Sequence, residues 1–292
     1  MSEKYQAAAS FCIIFCDMPP LPLVSVCIPT YNSQSFILDT IESVLQQSYQ
    51  NLEVIICDDC SHDQTVEIIR SIQDARIKLF QNETNLGIEG NWNKTLLKAS
   101  GHYAKVMGAD DILASDCIQK QVAVFEDPTH DDVVLVSSHK NVIDERGKIV
   151  ITRKFPGKGK IAGLTAIKMC LHRGTNIIGE PVAGLFRMKL LQQSGYYNGE
   201  NMYMIDIDLW SRMLKFGSLF VVDQTLYSFR ISRSSISSSL GFSQFGYYNR
   251  FVRKLSADKA FKITVFDILI ATIMSFFMVA ARNLFYLRFI SW

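Results

Sequence analysis

From Val24 onward the chain alternates between two hydrophobic periods. Val24–Ile28, Leu52–Cys57, Ile77–Phe80, Tyr103–Met107 and Val133–Ser137 are short apolar runs that predict strands. Helical periodicity lies between them. Ser33–Ser48 places Phe36, Ile37, Ile41, Val44 and Leu45 on one face, with Ser33 or Ser35 as its cap. Thr65–Gln73 turns Val66, Ile69 and Ile72 inward, and Ile88–Ala99 carries Trp92, Leu96 and Ala99 and stops at Gly101. Ser115–Glu126 begins on Ser115, a favourable N-cap. Strand alternating with helix at this spacing predicts β-α-β units and a mostly parallel sheet, and the nearly continuous apolar strands imply that both its faces are covered. Beyond residue 138 the pattern loosens. Asp144-Glu145-Arg146-Gly147 reads as a hairpin turn, Val182–Phe186 and Leu219–Val222 as strands, and Asp206–Phe216 as a helix closed by Gly217.

Composition sharpens this at the C-terminus. The 292 residues are 48% hydrophobic and 20% charged, which excludes a disordered chain. Thirty Lys and Arg against 28 Asp and Glu leave a net +2, without the basic excess of a nucleic-acid binder. Mean hydropathy is +0.12, high for a soluble enzyme. Much of the excess sits in Ile263–Ala281, nineteen residues with one charge, Asp267. Arg250, Arg253, Lys254, Lys259 and Lys262 precede it, and Arg282 and Arg288 follow. A membrane span, a helix lying in the interface and a buried dimer or core helix all remain open. The seven Cys are odd in number and scattered, and Cys57-x-x-Cys60 has no second pair, so a reducing, cytoplasmic compartment is expected. The apolar patch Phe11–Cys16 lacks a basic flank and runs into Pro19, Pro20 and Pro22, so residues 1–22 read as a disordered leader.

Polar residues cluster after three of the strands: Thr30, Tyr31 and Asn32, then Asp58 and Asp59, then Asp110 and Asp111. In an open parallel sheet the carboxyl ends of the strands share one edge, where ligands bind. Four carboxylates converging there repel one another unless a cation is present. The pattern points to a hard divalent metal, Mg²⁺ or Mn²⁺, whose shell is completed by substrate phosphates. Neither G-x-G-x-x-G nor G-x-x-x-x-G-K-[ST] occurs, which argues against a dinucleotide dehydrogenase and a P-loop enzyme.

Val24–Asn32 (VSVCIPTYN), Cys57–Thr65 (CDDCSHDQT), Asn85-Leu86-Gly87 and Gly108–Leu113 (GADDIL) stand in the order and spacing of inverting family 2 glycosyltransferases, and residues 22 to 237 resemble that family. The resemblance implies a Rossmann-like α/β glycosyltransferase A fold. It implies that Pro29, Tyr31 and Asp59 hold the nucleoside, and that Asp110 and Asp111 form the so-called DXD site for ribose, metal and diphosphate, with Asp111 on the metal. The chemistry is compatible. Tyr31 can stack on a base, and the Asp59 carboxylate suits the imino N–H of uracil or thymine, so UDP or dTDP is favoured, with GDP admitted.

Gly179–Arg187 (GEPVAGLFR) resembles the segment lining the acceptor side. In Ile205–Trp210 (IDIDLW) the family's catalytic Asp falls on Asp206, while Ile205 replaces a common acid. An inverting transfer needs one such base for the acceptor hydroxyl. In Phe229–Ser237, Ser232 stands where His is usual, and Arg230 and Arg233 offer compensating phosphate contacts. The expected organisation is a catalytic domain over 23–240 (nucleotide-binding half 23–137, acceptor-side half 138–240) and a helical extension over 241–292. The expected activity is metal-dependent inverting transfer from a nucleotide diphosphate sugar to a hydroxyl of a glycan or lipid-linked acceptor, at the cytoplasmic face of a membrane if a membrane surface is also bound. The alternatives are a non-catalytic binding subunit and a sugar nucleotidyltransferase.

Overall fold

A computed structural model describes residues 21–232 and 240–289. All but the last two residues of the expected leader, and Arg233, lie outside the described residues. The nucleotide-binding half runs β1 (Val24–Thr30), α1 (Ile37–Leu45), β2 (Leu52–Asp58), α2 (Thr65–Ser71), β3 (Ile77–Gln81), α3 (Gly87–Leu97), β4 (Tyr103–Val106), β5 (Ile112–Leu113) and α4 (Cys117–Glu126). There follow β6 (Val133–Ile143), β7 (Ile149–Arg153), β8 (Gly159–Ala162), α5 (Gly163–Arg173), β9 (Leu185–Arg187), α6 (Leu191–Ser194), α7 (Ile205–Met213), β10 (Ser218–Arg230), α8 (Ser243–Ala257) and α9 (Val265–Phe289). Short 3₁₀ turns occupy Pro181–Ala183 and Gly199–Met204.

The strands form one sheet in the order β3-β2-β1-β4-β9-β6-β10-β5, with β7 on β6 and β8 on β10. Neighbours from β3 to β4 are parallel, as the β-α-β pattern predicts. The second half is mixed: β6 and β10 pair in parallel, while β9 joins β4 and β6 antiparallel. Alternate residues feed two cores. Val24, Val26 and Ile28 of β1 pack on the side of α1 and α4, while Cys27 joins Ile167, Trp210, Phe251 and Ala271 of α5, α7, α8 and α9 on the other. Each such fully buried aliphatic side chain contributes ~1.5–3 kcal/mol. α8 is thus part of the core, and packing does not stop at residue 240.

Several boundaries differ from the sequence pattern for physical reasons. Ser33 caps α1 with its carbonyl oxygen, which accepts from the N–H of Phe36 and Ile37, and not with its hydroxyl. α4 begins after Asp116, and the Ser115 carbonyl accepts from Ser48 N–H. The run from Val182 is apolar because it is buried: its first part is 3₁₀, and only Leu185–Arg187 is strand. Gly217 has no left-handed backbone. A Cβ there would lie 2.2 Å from the Asp132 carbonyl oxygen, so close approach to the start of β6 requires the glycine. β10 is thirteen residues long, hidden in sequence by the polar stretch Asp223-Gln224-Thr225, where the pairing with β6 shifts register.

Candidate active site

The parallel register sets Thr30 of β1 beside Asp58 of β2, so the loops after both strands open on the same edge. Pro29 sits inside β1 without breaking a ladder, because pairing with β4 ends at Cys27. Tyr31 projects from the end of β1, 47% exposed. The two loops are bonded together: Asn32 N–H donates to Ser61 Oγ, and Asn32 Oδ1 accepts from His62 N–H. Asp58 closes its own turn by accepting from Ser61 N–H. Asp59 is 2% exposed, and its Oδ1 accepts from Asn82 Nδ2 (2.7 Å) and Leu86 N–H (2.8 Å). No bond to Asp59 Oδ2 forms among the described residues. Asn85 Nδ2 donates to the Asp59 carbonyl, so Asn85-Leu86-Gly87 is the clamp that aims this carboxylate.

Asp110 and Asp111 follow β4 across Gly108. A Cβ on Gly108 would meet Asp110 Oδ1 at 2.8 Å and Asp111 Oδ2 at 3.1 Å, so both carboxylates lie over the same glycine. Burial pushes the Asp111 carboxyl well above its ordinary value, and the neighbouring charges of Asp110 and Glu180 add to this. Asp110 is raised as well, chiefly by burial, with Arg230 opposing. This donor set fits a hard divalent cation: oxygen ligands whose mutual repulsion positive charge would relieve. Among the described residues no group of three or more His, Cys, Asp or Glu forms a closed metal cluster. A metal here would take its remaining ligands from phosphate and water.

Arg230, expected to hold the donor, is 3% exposed. Its Nε donates to the Asp110 carbonyl (2.9 Å), its Nη1 to the carbonyls of Asp144 and Glu145, and its N–H to Asp111 Oδ1; the guanidinium lies 4.5 Å from the Phe36 ring. These bonds brace the acidic loop. Ser232 is also buried.

Asp206 lies in the first turn of α7, whose N-cap is Met204. Its Oδ1 is buried without a hydrogen-bond partner. Burial, and then the nearby charge of Glu180, push its pKa up to about 8, with Lys140 opposing. The Tyr197 hydroxyl, also orphaned, feels the Asp206 charge. Thr30 Oγ1 and Asn82 Oδ1 are orphaned too, so unpaired buried polar atoms occur on both the nucleoside and the Asp206 sides. Ile205 packs into the apolar core, and Asp208 bonds Arg212 (2.9 Å) and Lys254 (3.0 Å), which gives it a structural role.

Sequence reasoning missed several groups. Glu180 pairs with Lys140 and accepts from the Tyr227 hydroxyl (3.3 Å), and its charge acts on both Asp111 and Asp206. Lys105 is fully buried in β4 and donates to the carbonyls of Val182 (2.6 Å) and Gly184 (3.2 Å). Trp210 Nε1 donates to the Gly179 carbonyl, and its ring packs where a Cβ on Gly184 would come within 2.7 Å. Together Lys105 and Trp210 fix the Glu180 segment between the two acidic centres. A lysine inside an otherwise apolar strand was the available signal.

The fold agrees with comparisons to known proteins. Residues 25–191 match the family described as Glycosyl transferase family 2. An uncharacterized Mycobacterium tuberculosis protein is 31% identical over 67% of this chain, which spans 63% of that protein's length. The Escherichia coli UDP-Glc:alpha-D-GlcNAc-diphosphoundecaprenol beta-1,3-glucosyltransferase WfaP is 31% identical over 75% of this chain and 81% of its own. Among solved structures, S. aureus TarS 1–349 in complex with UDP-GlcNAc aligns with TM-score 0.63 at 20% identity, over 80% of this chain and 66% of that one. The Pyrobaculum calidifontis mannosyltransferase PcManGT, in complex with GDP-Man and Mn²⁺, aligns with TM-score 0.63 at 15% identity, over 97% and 82%. The sheet is that of the glycosyltransferase A fold, and with more than half its length matched, the chain belongs to glycosyl transferase family 2.

Proposed function

We propose that the protein is a metal-dependent, inverting glycosyltransferase that moves a sugar from a nucleotide diphosphate donor, UDP or dTDP before GDP, to a hydroxyl of a lipid-linked or glycan acceptor at the cytoplasmic face of a membrane. The observation that carries this is the pairing of two different acidic centres: Asp110 and Asp111, which need positive charge, and Asp206, a carboxylate with one buried oxygen unpartnered and a pKa pushed up to about 8. Relatives named for UDP-glucose and a diphosphoundecaprenol acceptor support the donor and acceptor classes.

In this reading Tyr31 stacks on the base, Asp59 accepts its imino N–H, and Asp110 holds the ribose. Asp111 would hold Mg²⁺ or Mn²⁺, which when bound offsets the charge gathering on the departing diphosphate. Asp206 takes the proton of the acceptor hydroxyl as the oxygen bonds the anomeric carbon from the opposite side. The sugar–phosphate bond breaks with its electron pair, and the anomeric centre inverts. Once ionised, a carboxylate with a raised pKa takes this proton more readily than an ordinary one, so transfer should rise with pH up to about 8.

The test is a thermal-shift panel of UDP, dTDP and GDP with and without Mn²⁺, followed by transfer assays with product stereochemistry read by NMR. UDP or dTDP should raise Tm only with metal present. Asp111→Ala should remove that shift and transfer together; full transfer in this variant sinks the proposal. Binding of donor without transfer to any acceptor would identify a non-catalytic subunit instead.

A further inference from the structure

The helix α9 is two-faced. Asp267, Ala271, Ser275 and Val279, four residues apart, are buried against the rest of the protein. On the opposite side Phe266, Leu269, Ile273, Phe276, Phe277 and Leu284 are exposed, Leu284 by 69%. At 1.5 Å per residue this apolar strip is ~30 Å long. The Phe276 ring also meets Phe245 of α8 at 6.0 Å, and exposed Phe242 stands at the N-cap of α8. By length and mean hydropathy, 1.9 over Val265–Phe285, the helix could cross a bilayer.

Its polar contacts argue otherwise. Asp267 accepts from Lys168 (3.1 Å) and His172 (2.7 Å) of α5 and from Thr264. Burial would raise its pKa, but these donors hold it well below the ordinary carboxylate range. Thr272 donates to Asn249 of α8, and Arg282 donates to Thr175, Gln244 and Tyr203. The helix also passes so close to Gly174 that a Cβ there would lie 2.2 Å from Ser275 N. A crossing would break these bonds along fifteen residues and leave charged groups in hydrocarbon, where each costs several kilocalories. Arg250, Arg253, Lys259 and Lys262 are exposed on α8 and in the link to α9. A second copy of the chain would bring the same basic residues with it; an anionic lipid surface complements both the apolar strip and this charge.

We propose that α9 is an in-plane membrane helix: it stays docked on α5 and α8 while its outer face lies in the headgroup–acyl boundary of an anionic bilayer. The binding mode stands on the helix alone; its value for catalysis rests on the lipid-linked acceptor proposed above.

The test is flotation of the full chain with vesicles of phosphatidylcholine, alone or mixed with phosphatidylglycerol. The chain should float with the mixed vesicles, be released by alkaline carbonate, and bind about tenfold less or weaker as the Phe266→Ser, Phe277→Ser double variant. Single tryptophans replacing Phe266, Phe276 and Leu284 should be quenched alike by shallow brominated lipid. A mid-helix tryptophan much deeper than both ends, no vesicle binding, or a concentration-dependent dimer abolished by the double variant would overturn the inference. Transfer to a water-soluble acceptor is measured on the same samples. Vesicle binding without transfer would fail the functional proposal alone, and transfer without vesicle binding would fail this inference alone.

Discussion

Asp59 and Asp206 are both acids of the candidate site, yet they are built in opposite ways. Asp59 is gripped through one oxygen by Asn82 and the backbone of Leu86. Asp206 has an oxygen with no partner and sits close to the charge of Glu180. The first arrangement fixes an acceptor for a ligand in advance. The second leaves a carboxylate that gains from taking a proton. The proposed transfer, which holds one molecule and deprotonates another, needs one of each.

The largest effect that can break this contrast is on chemistry. Asp206→Asn should lower transfer by ~10³-fold, within the usual range for a general base, with donor Kd unchanged by calorimetry. A matching loss of donor binding would place Asp206 in the binding set and erase the distinction. Asp59→Asn should do the reverse, weakening UDP binding ~10–100-fold, as for loss of a charged hydrogen bond, while kcat changes less. The preference for UDP over CDP should narrow with it.

The titration supplies a third check. Folding raises the Asp206 pKa to about 8, so the native state holds a proton that the unfolded chain releases. Its presence therefore costs stability increasingly as pH rises from about 4 to about 8, after which the cost levels off. Asp206→Asn should melt higher than the parent by an amount that grows across that window and levels off above it. A difference that stays flat with pH would show that the carboxylate is not buried in this way. Smallest, Gly184→Ala should destabilise by ~1–2 kcal/mol, since its Cβ meets the Trp210 ring, and should lower kcat by displacing Glu180.

The first half of the sheet and the acids at its strand ends were legible because parallel strands buried on both faces are continuous apolar runs, and the acids come directly after them. The other side was not. Glu180 follows no strand, and its neighbours Val182 and Ala183 are apolar without being extended. Lys105 looks out of place in β4 until its two carbonyl partners are seen. Arg230 reads as a phosphate ligand from its position near the family's usual histidine; its bonds to the Asp110 and Asp144 carbonyls and its approach to Asp39 at 3.8 Å are not visible in the sequence. The apolar excess at the C-terminus was plain, but its two-faced use was not, because Asp267 and Arg282 look like flaws in a span when they are its docking contacts.

One of those contacts has a consequence of scale. Arg282 of α9 donates to the Tyr203 hydroxyl, and Tyr203 stands one turn before Asp206. If α9 rests in a lipid surface, the start of α7, where Asp206 lies, is tied to that surface through Arg282 and Tyr203. The protein would then act as a ruler. It would select acceptors by how far their free hydroxyl stands from the lipid, and its effective substrate concentration would be a surface density and not a volume concentration.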